Sequence, residues 1–299
     1  MFDEIQQLKK KKNAVILAHY YAPDDVQYIA DDVGDSYFLS KKATEYEADI
    51  IVFCGVLFMG ESAKILNPDK KVLMPDLKAD CPMAHMVTPE DIRKIRSEYE
   101  DIAVVCYINS TAEAKMYSDV CITSSNAVKI VKKIPEKNIY FIPDRNLGRY
   151  VAEQVPEKNV ILHDGYCPTH DDLRADRIQK IKKAHPNALF LAHPECRSEV
   201  LREADYIGST SGIVHFARES QSREFVIGTE KGILCALKKN DPDKRYYLVD
   251  DNQICSDMKR ITPGKVLDVL KHERNEVLIS EETRRKALNP LVRMLELGD

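Results

Sequence analysis

The sequence predicts an α/β protein made of three homologous domains, each a three-layer sandwich with a small parallel sheet. Two observations favour this class. Short apolar stretches typical of buried strands alternate with stretches of helical pattern along the chain. In addition, one arrangement of strand, polar residues and helix recurs three times at nearly equal spacing. We therefore expect three copies of one unit around a pseudo-threefold axis.

Each copy begins with an apolar strand that ends in two polar residues separated by one position. The strands are AVILAH, AVVCYI and ALFLAH, and the polar pairs are His19 with Tyr21, Tyr107 with Asn109, and His193 with Glu195. Seventeen residues after the first member of each pair stands a hydroxyl side chain, at Ser36, Ser124 and Thr210. Unrelated strand–helix units would not share this register of polar residues, so the pattern indicates a triplication.

One cysteine follows the last strand of each copy. These cysteines are Cys81, Cys167 and Cys255, at spacings of 86 and 88 residues. We predict domains at residues 1–100, 101–187 and 188–299, the last with an additional C-terminal helix. The remaining cysteines do not recur, and we expect them to be small buried hydrophobic residues. They are Cys54, Cys106, Cys121, Cys196 and Cys235.

The recurring residues are expected to face one cavity, because open α/β sheets bind ligands beyond the carboxyl ends of their strands. Taken singly, Ser36, Ser124 and Thr210 are interpreted as helix N-caps. Three helix N-termini at one cavity would suit carboxylates or phosphate. Glu195 is the only carboxylate in the polar pairs, which makes it the expected general base or acid, with Tyr21 as partner acid. The non-recurring histidines, His170 included, are interpreted as structural or exposed.

Three thiolates without a fourth equivalent would leave one metal position open. Soft thiolate ligands select zinc or iron–sulfur clusters. Zinc on three cysteines would be a structural site lacking a ligand or a catalytic site with a water. A [4Fe–4S] cluster on three cysteines would leave one iron free to act as a Lewis acid. Spacing alone leaves both possibilities open.

Charge and hydropathy exclude several classes of protein. The chain has 44 Lys and Arg against 48 Asp and Glu, so its net charge of −4 gives no electrostatic reason to expect nucleic acid. The longest apolar run, residues 50–59, is too short to span a membrane, and the N-terminus has no apolar signal core. We expect a cytoplasmic protein with reduced thiols and with neither nucleic-acid nor membrane partners.

Together these motifs resemble the quinolinate synthase family over essentially the whole chain. The stretches that carry the resemblance are ILAHYY, VGDS, FMGESAKILNP, DLKADCPMAH, YINSTAEAK, SDVCITSSNAV, PDRNLGRYVA, GYCPTH, AHPEC, ADYIGSTSGI, FVIGTEKGI and NQICSDMK. The resemblance implies three α/β domains and a [4Fe–4S] cluster on Cys81, Cys167 and Cys255. It also implies condensation of iminoaspartate with dihydroxyacetone phosphate to quinolinate, phosphate and water, in de novo NAD biosynthesis.

The resemblance assigns further residues and partners. The implied substrate-contacting residues are His19, Ser36, Tyr107, Asn109, Ser124, His193, Glu195, Ser209 and Thr210. The implied catalytic residues are Glu195, Tyr21, His193 and Tyr107. The implied partners are the two small-molecule substrates and, for a transient hand-off, L-aspartate oxidase. The alternatives are a three-cysteine zinc hydrolase or lyase and a non-enzymatic iron–sulfur sensor.

Overall fold

The structure is a computed structural model that describes residues 1–298. It contains three four-stranded sheets, each drawn from one continuous part of the chain. The first sheet consists of β1 (Ala14–His19), β2 (Asp32–Gly34), β3 (Ile50–Cys54) and β4 (Lys71–Leu73). The second consists of β5 (Ile102–Tyr107), β6 (Val120–Ile122), β7 (Asn138–Ile142) and β8 (Asn159–Leu162). The third consists of β9 (Leu189–Ala192), β10 (Tyr206–Ile207), β11 (Glu224–Gly228) and β12 (Arg245–Leu248).

Helices connect the strands. Those around the first sheet are α1 (Phe2–Lys11), α2 (Asp24–Ile29), α3 (Ser36–Glu45), α4 (Leu57–Leu66) and α5 (Pro89–Glu98). Next come α6 (Ala112–Met116), α7 (Ala127–Lys133), α8 (Arg145–Gln154), α9 (Pro168–Asp171) and α10 (Ala175–Ala184). The last are α11 (Ser198–Leu201), α12 (Thr210–Glu219), α13 (Ile233–Asn240), α14 (Pro263–His272) and α15 (Glu281–Gly298), and 3₁₀ turns lie at Pro82–His85 and Met258–Arg260. Within residues 1–298, no helix has both the length and the apolar character needed to cross a membrane.

All three sheets are parallel and have the same strand order. The orders are β2-β1-β3-β4, β6-β5-β7-β8 and β10-β9-β11-β12. In each sheet the second strand along the chain lies on one side of the first strand, and the third and fourth strands lie on the other side. The polar pairs lie at the carboxyl end of the first strand, where the strand order changes side. Helices cover the strands, so β3 and β5 are buried along their whole length. The predicted α/β class with three small parallel sheets is confirmed.

A repeated aspartate holds the second strand of each sheet against the first. Its carboxylate accepts a hydrogen bond from a backbone N–H of the first strand, and its own N–H donates to the carbonyl of that same residue. The pairs are Asp31 with Ile16, Asp119 with Val104, and Asp205 with Phe190, with N–H to carboxylate distances of 2.8, 2.7 and 2.7 Å. Because each aspartate precedes a recurring hydroxyl by five residues, this contact also sets where that hydroxyl lies.

The C-terminal helices pack on the first two sheet units. Helix α14 contacts α1 and β3, whereas α15 contacts α4, α6 and β6. Lys133 Nζ donates to the carbonyl of Leu297 at 2.8 Å, which holds the end of α15 against α7. The domain ranges 1–100, 101–187 and 188–299 stay a prediction, and Asp299 lies outside the described residues. The five non-recurring cysteines are buried, as expected.

Candidate active site

The carboxyl ends of the three sheets border one cavity of about 670 Å³. It is lined by members of every polar pair, by the three recurring hydroxyls and by the three recurring cysteines. The predicted site residues that line it are His19, Tyr21, Ser36, Cys81, Tyr107, Asn109, Ser124, Cys167, His193, Glu195, Thr210 and Cys255. Parallel strands bring these residues together because their carboxyl ends share one edge of each sheet. Their individual roles stay predictions.

Ser209 is the predicted site residue that does not line this cavity. It is the N-cap of α12, where its Oγ accepts the Gly212 N–H at 3.1 Å. The same hydroxyl donates to Asp35 Oδ2 at 3.2 Å. Both of these bonds hold the start of α12, so the structure gives Ser209 a supporting position beside Thr210.

The interpretation of the recurring hydroxyls as N-caps is wrong. Asp35 caps α3 by accepting the Phe38 N–H, and Ser209 caps α12, so Ser36 and Thr210 are the first residues inside their helices. Ser124 precedes Asn126, which is the N-cap position of α7. The physical reason is that a second capping residue stands one position earlier in α3 and α12. The hydroxyls of Ser36 and Thr210 therefore reach the cavity without serving as caps.

Each recurring cysteine has its backbone N–H bound to a carboxylate. Cys81 donates to Asp80 Oδ1 at 2.7 Å, Cys167 to Asp144 Oδ2 at 3.0 Å, and Cys255 to Glu230 Oε1 at 3.2 Å. Asp144 and Glu230 are equivalent in strand register, two residues beyond the end of β7 and β11. The first unit has Val56 at that position, and Asp80 replaces the missing acceptor. These carboxylates hold the main chain at the point where each thiol enters the cavity.

Glu230 also connects the third unit with the first. This carboxylate is fully buried, and burial raises its pKa, which Lys259 Nζ at 2.8 Å opposes. Lys259 donates in addition to the carbonyl of Tyr21 at 2.6 Å. A buried carboxylate without partners would destabilise the fold by several kcal/mol, so these partners are required for its presence. One ion pair thus orders Cys255 and the backbone of Tyr21.

Three thiols in one cavity are a donor set for a soft metal. Burial raises the pKa of all three thiols, that of Cys255 to about 11, so they are protonated at neutral pH without a metal. A bound soft metal would displace these protons, since thiolate is the ligand form. Each thiol comes from a different sheet, and each is anchored through its amide. This arrangement fits a metal or cluster bound by all three.

Glu195 is buried between two histidines, which contact one of its two carboxylate oxygens. Its Oε2 lies 3.0 Å from His170 Nδ1 and 3.2 Å from His193 Nδ1. Its Oε1 is buried and has no hydrogen-bond partner among the described residues. Burial alone would raise the pKa of Glu195, but the two histidines outweigh it and hold that pKa below its ordinary value. Glu195 is therefore ionised at neutral pH, with Oε1 free for a ligand.

Two histidines and two tyrosines of the cavity are uncharged at neutral pH. Burial lowers the pKa of His19 to about 4, and it also lowers that of His193. Burial raises the pKa of Tyr21 and of Tyr107 well above the ordinary value for a phenol. Neutral imidazoles and phenols can both donate and accept hydrogen bonds. The cavity can thus bind polar ligands on several sides and exchange protons with them.

His170 is a site residue that the sequence interpretation set aside. It is buried in the cavity wall, with Nδ1 3.2 Å from Cys167 Sγ and Nε2 2.8 Å from Thr229 Oγ1. Cys167, His170 and Glu195 place one ligand atom each within 4.8 Å of one another. The threefold pattern could not find His170, because the equivalent positions hold Ala84 and Met258. Its position three residues after Cys167 was the available signal.

Low pH should destabilise the metal-free protein through its buried histidines. In the folded chain His19 stays neutral until about pH 4, whereas an unfolded imidazole titrates near pH 6.5. Between these values the unfolded state binds a proton that the folded state does not, so the free energy of unfolding falls as the pH falls. His19→Gln should reduce the fall between pH 7 and pH 4.5 by about 2–3 kcal/mol, measured by urea denaturation.

His272→Gln is the matched control for this measurement. The His272 side chain is 63% exposed, so its removal should leave the pH dependence of unfolding nearly unchanged. If His19→Gln shows the same pH dependence as the parent protein, the assignment of a buried neutral imidazole at this position is contradicted.

Comparison with known proteins places this site in a family. The family model described as Quinolinate synthetase A protein matches residues 3–296. A quinolinate synthase of Caldicellulosiruptor bescii is 52% identical over 99% of this chain and 98% of its own length. Quinolinate synthases of Clostridioides difficile and Fusobacterium nucleatum are 50% and 52% identical, over 99% and 100% of this chain and 97% and 99% of their own lengths. With identity at this level along its whole length, the chain belongs to the quinolinate synthetase A family of enzymes.

Proposed function

We propose that this chain condenses iminoaspartate with dihydroxyacetone phosphate to give quinolinate, phosphate and two molecules of water. The observation that carries the proposal is the single cavity in which three recurring thiols, three recurring hydroxyls and Glu195 meet. Membership of a family whose curated members are named quinolinate synthase supports it. The proposal includes the three domains at residues 1–100, 101–187 and 188–299, a place in de novo NAD biosynthesis and a cytoplasmic location.

The cavity suits these two substrates because they carry two carboxylates and one phosphate between them. The N-termini of α3 and α12 begin at its wall with Ser36 and Thr210, and helix N-termini favour anions. Neutral His19 adds a hydrogen-bond donor without the cost of a buried charge. Asn109 Oδ1 is buried and has no partner among the described residues, so it can accept a hydrogen bond from substrate. We assign Ser124 and His193 to the same binding surface, since Ser124 Oγ lies 3.2 Å from His193 Nε2.

Cys81, Cys167 and Cys255 are the proposed ligands of a [4Fe–4S] cluster. Their donor chemistry, their origin in three separate sheets and their anchored amides support a shared group. When bound, such a cluster supplies one open iron that can polarise a carbonyl or hydroxyl oxygen as a Lewis acid. Cys167 and Glu195 offer ligand atoms within 4.8 Å of each other, so a carboxylate able to exchange protons lies close to one of the residues that would hold the cluster.

The protein residues supply the proton transfers. Glu195 is ionised and has a free oxygen, so it can take a proton from a carbon next to a substrate carbonyl and later return it to a departing hydroxyl. Its low pKa makes it a weak base, which restricts it to protons that a polarised carbonyl has acidified. Tyr21 is the partner acid, since its neutral phenol can protonate an oxygen. His193 orients Glu195, and Tyr107 contacts substrate from the opposite unit.

The proposed partners are small molecules. Iminoaspartate is an imine and hydrolyses in water, so a transient hand-off from L-aspartate oxidase would limit its loss. Among the described residues, those that line the cavity include Asp35, Glu195 and Glu230 but no lysine or arginine, so they form no cationic patch suited to a nucleic acid.

One observation favours a second candidate, a zinc hydrolase or lyase. Cys167, His170 and Glu195 offer a thiol, an imidazole and a carboxylate within 4.8 Å, which are ligands that zinc accepts. In that arrangement Cys81 and Cys255 would have no role in metal binding. The two candidates therefore differ in which cysteines the metal requires, and in whether the purified protein contains iron and sulfide.

Single replacements of the cysteines test the cluster. Cys81→Ser, Cys167→Ser and Cys255→Ser should each lose most of the iron and sulfide of anaerobically purified protein, because only two thiolate ligands remain. The control, Cys235→Ser, should retain both, since Cys235 lies away from the cavity in α13. Unchanged iron in all three ligand variants would exclude the cluster. Zinc that is lost only in Cys167→Ser would favour the second candidate.

Glu195→Gln tests the proton chemistry. It keeps the shape of the side chain and removes its ability to take a proton, so turnover should fall roughly 100-fold or more while iron content stays at the parent level. Glu199→Gln makes the same change on an exposed position of α11 and should leave quinolinate formation unaltered. Turnover of Glu195→Gln within about threefold of the parent would show that Glu195 only binds substrate.

A further inference from the structure

A buried lysine lies behind the turn that carries Asn109. Lys115 belongs to α6, its side chain is fully buried, and it does not line the cavity. Its Nζ donates to the carbonyl of Ser110 at 2.6 Å. Ser110 is also buried, and its Oγ donates to the carbonyl of Tyr107 at 2.8 Å. The turn between β5 and α6 is thus held by two side chains that do not themselves face the cavity.

The first unit supplies the surroundings of this buried charge. The ring of Phe58, which lines the cavity, has its centre 5.5 Å from Lys115 Nζ. Glu61 Oε2 accepts the N–H of Ala112 at 2.9 Å and so holds the first residue of α6. Burial raises the pKa of Glu61, and the charge of Lys115 opposes that rise. A buried charge is costly to the fold, and an apolar residue of similar length would avoid that cost. We therefore expect the lysine to have a task that an apolar residue cannot perform.

The first unit contains the same arrangement with a different donor. Gln27 and Lys115 each stand eight residues after the first member of the polar pair in their unit. Gln27 Nε2 donates to the carbonyl of Ala22 at 2.9 Å, and Ala22 is the position equivalent to Ser110. The third unit has Leu201 at the equivalent position, which cannot donate a hydrogen bond. Two of the three units therefore make the same bond from a side chain to a carbonyl of the turn.

Both side chains also contact an equivalent position in a neighbouring unit. Gln27 Nε2 lies 3.0 Å from the carbonyl of Gly232, and Lys115 Nζ lies over the ring of Phe58. Gly232 and Phe58 each stand four residues after the end of the third strand of their sheet. The arrangement thus recurs both within the unit and across its boundary, which indicates one shared task.

We infer that Lys115 and Gln27 are positioning residues for the second member of the polar pair in their units, Asn109 and Tyr21. The inference rests on the proposed function of those two residues. Lys115 holds the residue directly after Asn109, whose Oδ1 is buried and has no partner among the described residues. Since no side chain holds that oxygen, its direction depends on the backbone of the turn. Gln27 likewise lies 2.7 and 2.9 Å from the carbonyls on the two sides of Tyr21.

Lys115→Met and Lys115→Gln separate the hydrogen bond from the charge. Methionine fills the space without a donor, whereas a glutamine at the equivalent position of the first unit binds the equivalent carbonyl. Lys115→Met should lower kcat/KM for quinolinate formation about tenfold, the scale of one lost hydrogen bond to substrate, with iron content at the parent level. Lys115→Gln should stay within about threefold of the parent. Lys94→Met, on an exposed position of α5, is the matched control.

A double-mutant cycle with Asn109→Ala tests the link itself. If Lys115 acts through Asn109, adding Lys115→Met to Asn109→Ala should lower kcat/KM by less than about twofold more. Hydrogen exchange of the segment 107–112 should be faster in Lys115→Met than in the parent and unchanged in Lys115→Gln. A full tenfold loss in the Asn109→Ala background would overturn the inference, as would parent-level kcat/KM in Lys115→Met. Equal losses in Lys115→Met and Lys115→Gln would also overturn it, in favour of the charge or of a structural role.

Gln27→Leu keeps the inference testable if Lys115→Met does not fold, because it removes an uncharged amide rather than a buried charge. Turnover should fall about tenfold with both Michaelis constants within about twofold of the parent, since Tyr21 is assigned to proton transfer. Parent-level turnover in Gln27→Leu would overturn the inference for the first unit. Failure of the parent protein to form quinolinate would instead reject the proposed function.

Discussion

Ionisable side chains are buried where the three sheets meet, and the rest of the site depends on how each is balanced. A carboxylate removed from water is tolerated only if hydrogen bonds or opposite charges replace its hydration. Glu230 forms an ion pair with Lys259 and accepts hydrogen bonds from two backbone N–H groups, and Glu195 is contacted by two histidines. His170 comes from the second unit, and the other partners come from the third. Lys259 also donates to the carbonyl of Tyr21 in the first unit. The balance at Glu195 is therefore reached only when the second and third units are docked.

The balanced groups hold the functional atoms in place. Asp144 and Glu230 bind the amides of Cys167 and Cys255, and Lys259 ties Glu230 to the backbone of Tyr21. Orientation of this kind is what a metal or cluster site needs around its ligands. Glu195 is oriented in the same way, because two histidines contact its Oε2, and its Oε1 has no hydrogen-bond partner among the described residues. The site is thus preorganised by contacts that lie one layer behind the atoms facing substrate.

Threefold repetition explains how much of this could be predicted from the sequence. Residues that recur, such as Cys81, Cys167 and Cys255, were found because chance does not repeat a polar register three times. Residues that break the repeat were missed, since His170 and Thr229 have no equivalents in the other units. Asp144 and Glu230 recur in only two units. The N-caps were misassigned because both Asp35 and Ser36 can cap a helix, and only backbone geometry separates them.

We propose that one iron–sulfur cluster is held jointly by the three sheet units. Crystals of anaerobically purified protein, measured with X-rays above and below the iron absorption edge, test it directly. We expect one compact group of iron peaks in the cavity, touching the sulfur atoms of Cys81, Cys167 and Cys255, with no protein ligand on one iron. A single peak with a zinc edge beside Cys167, His170 and Glu195 would contradict it, as would three sulfur atoms too far apart to contact one group.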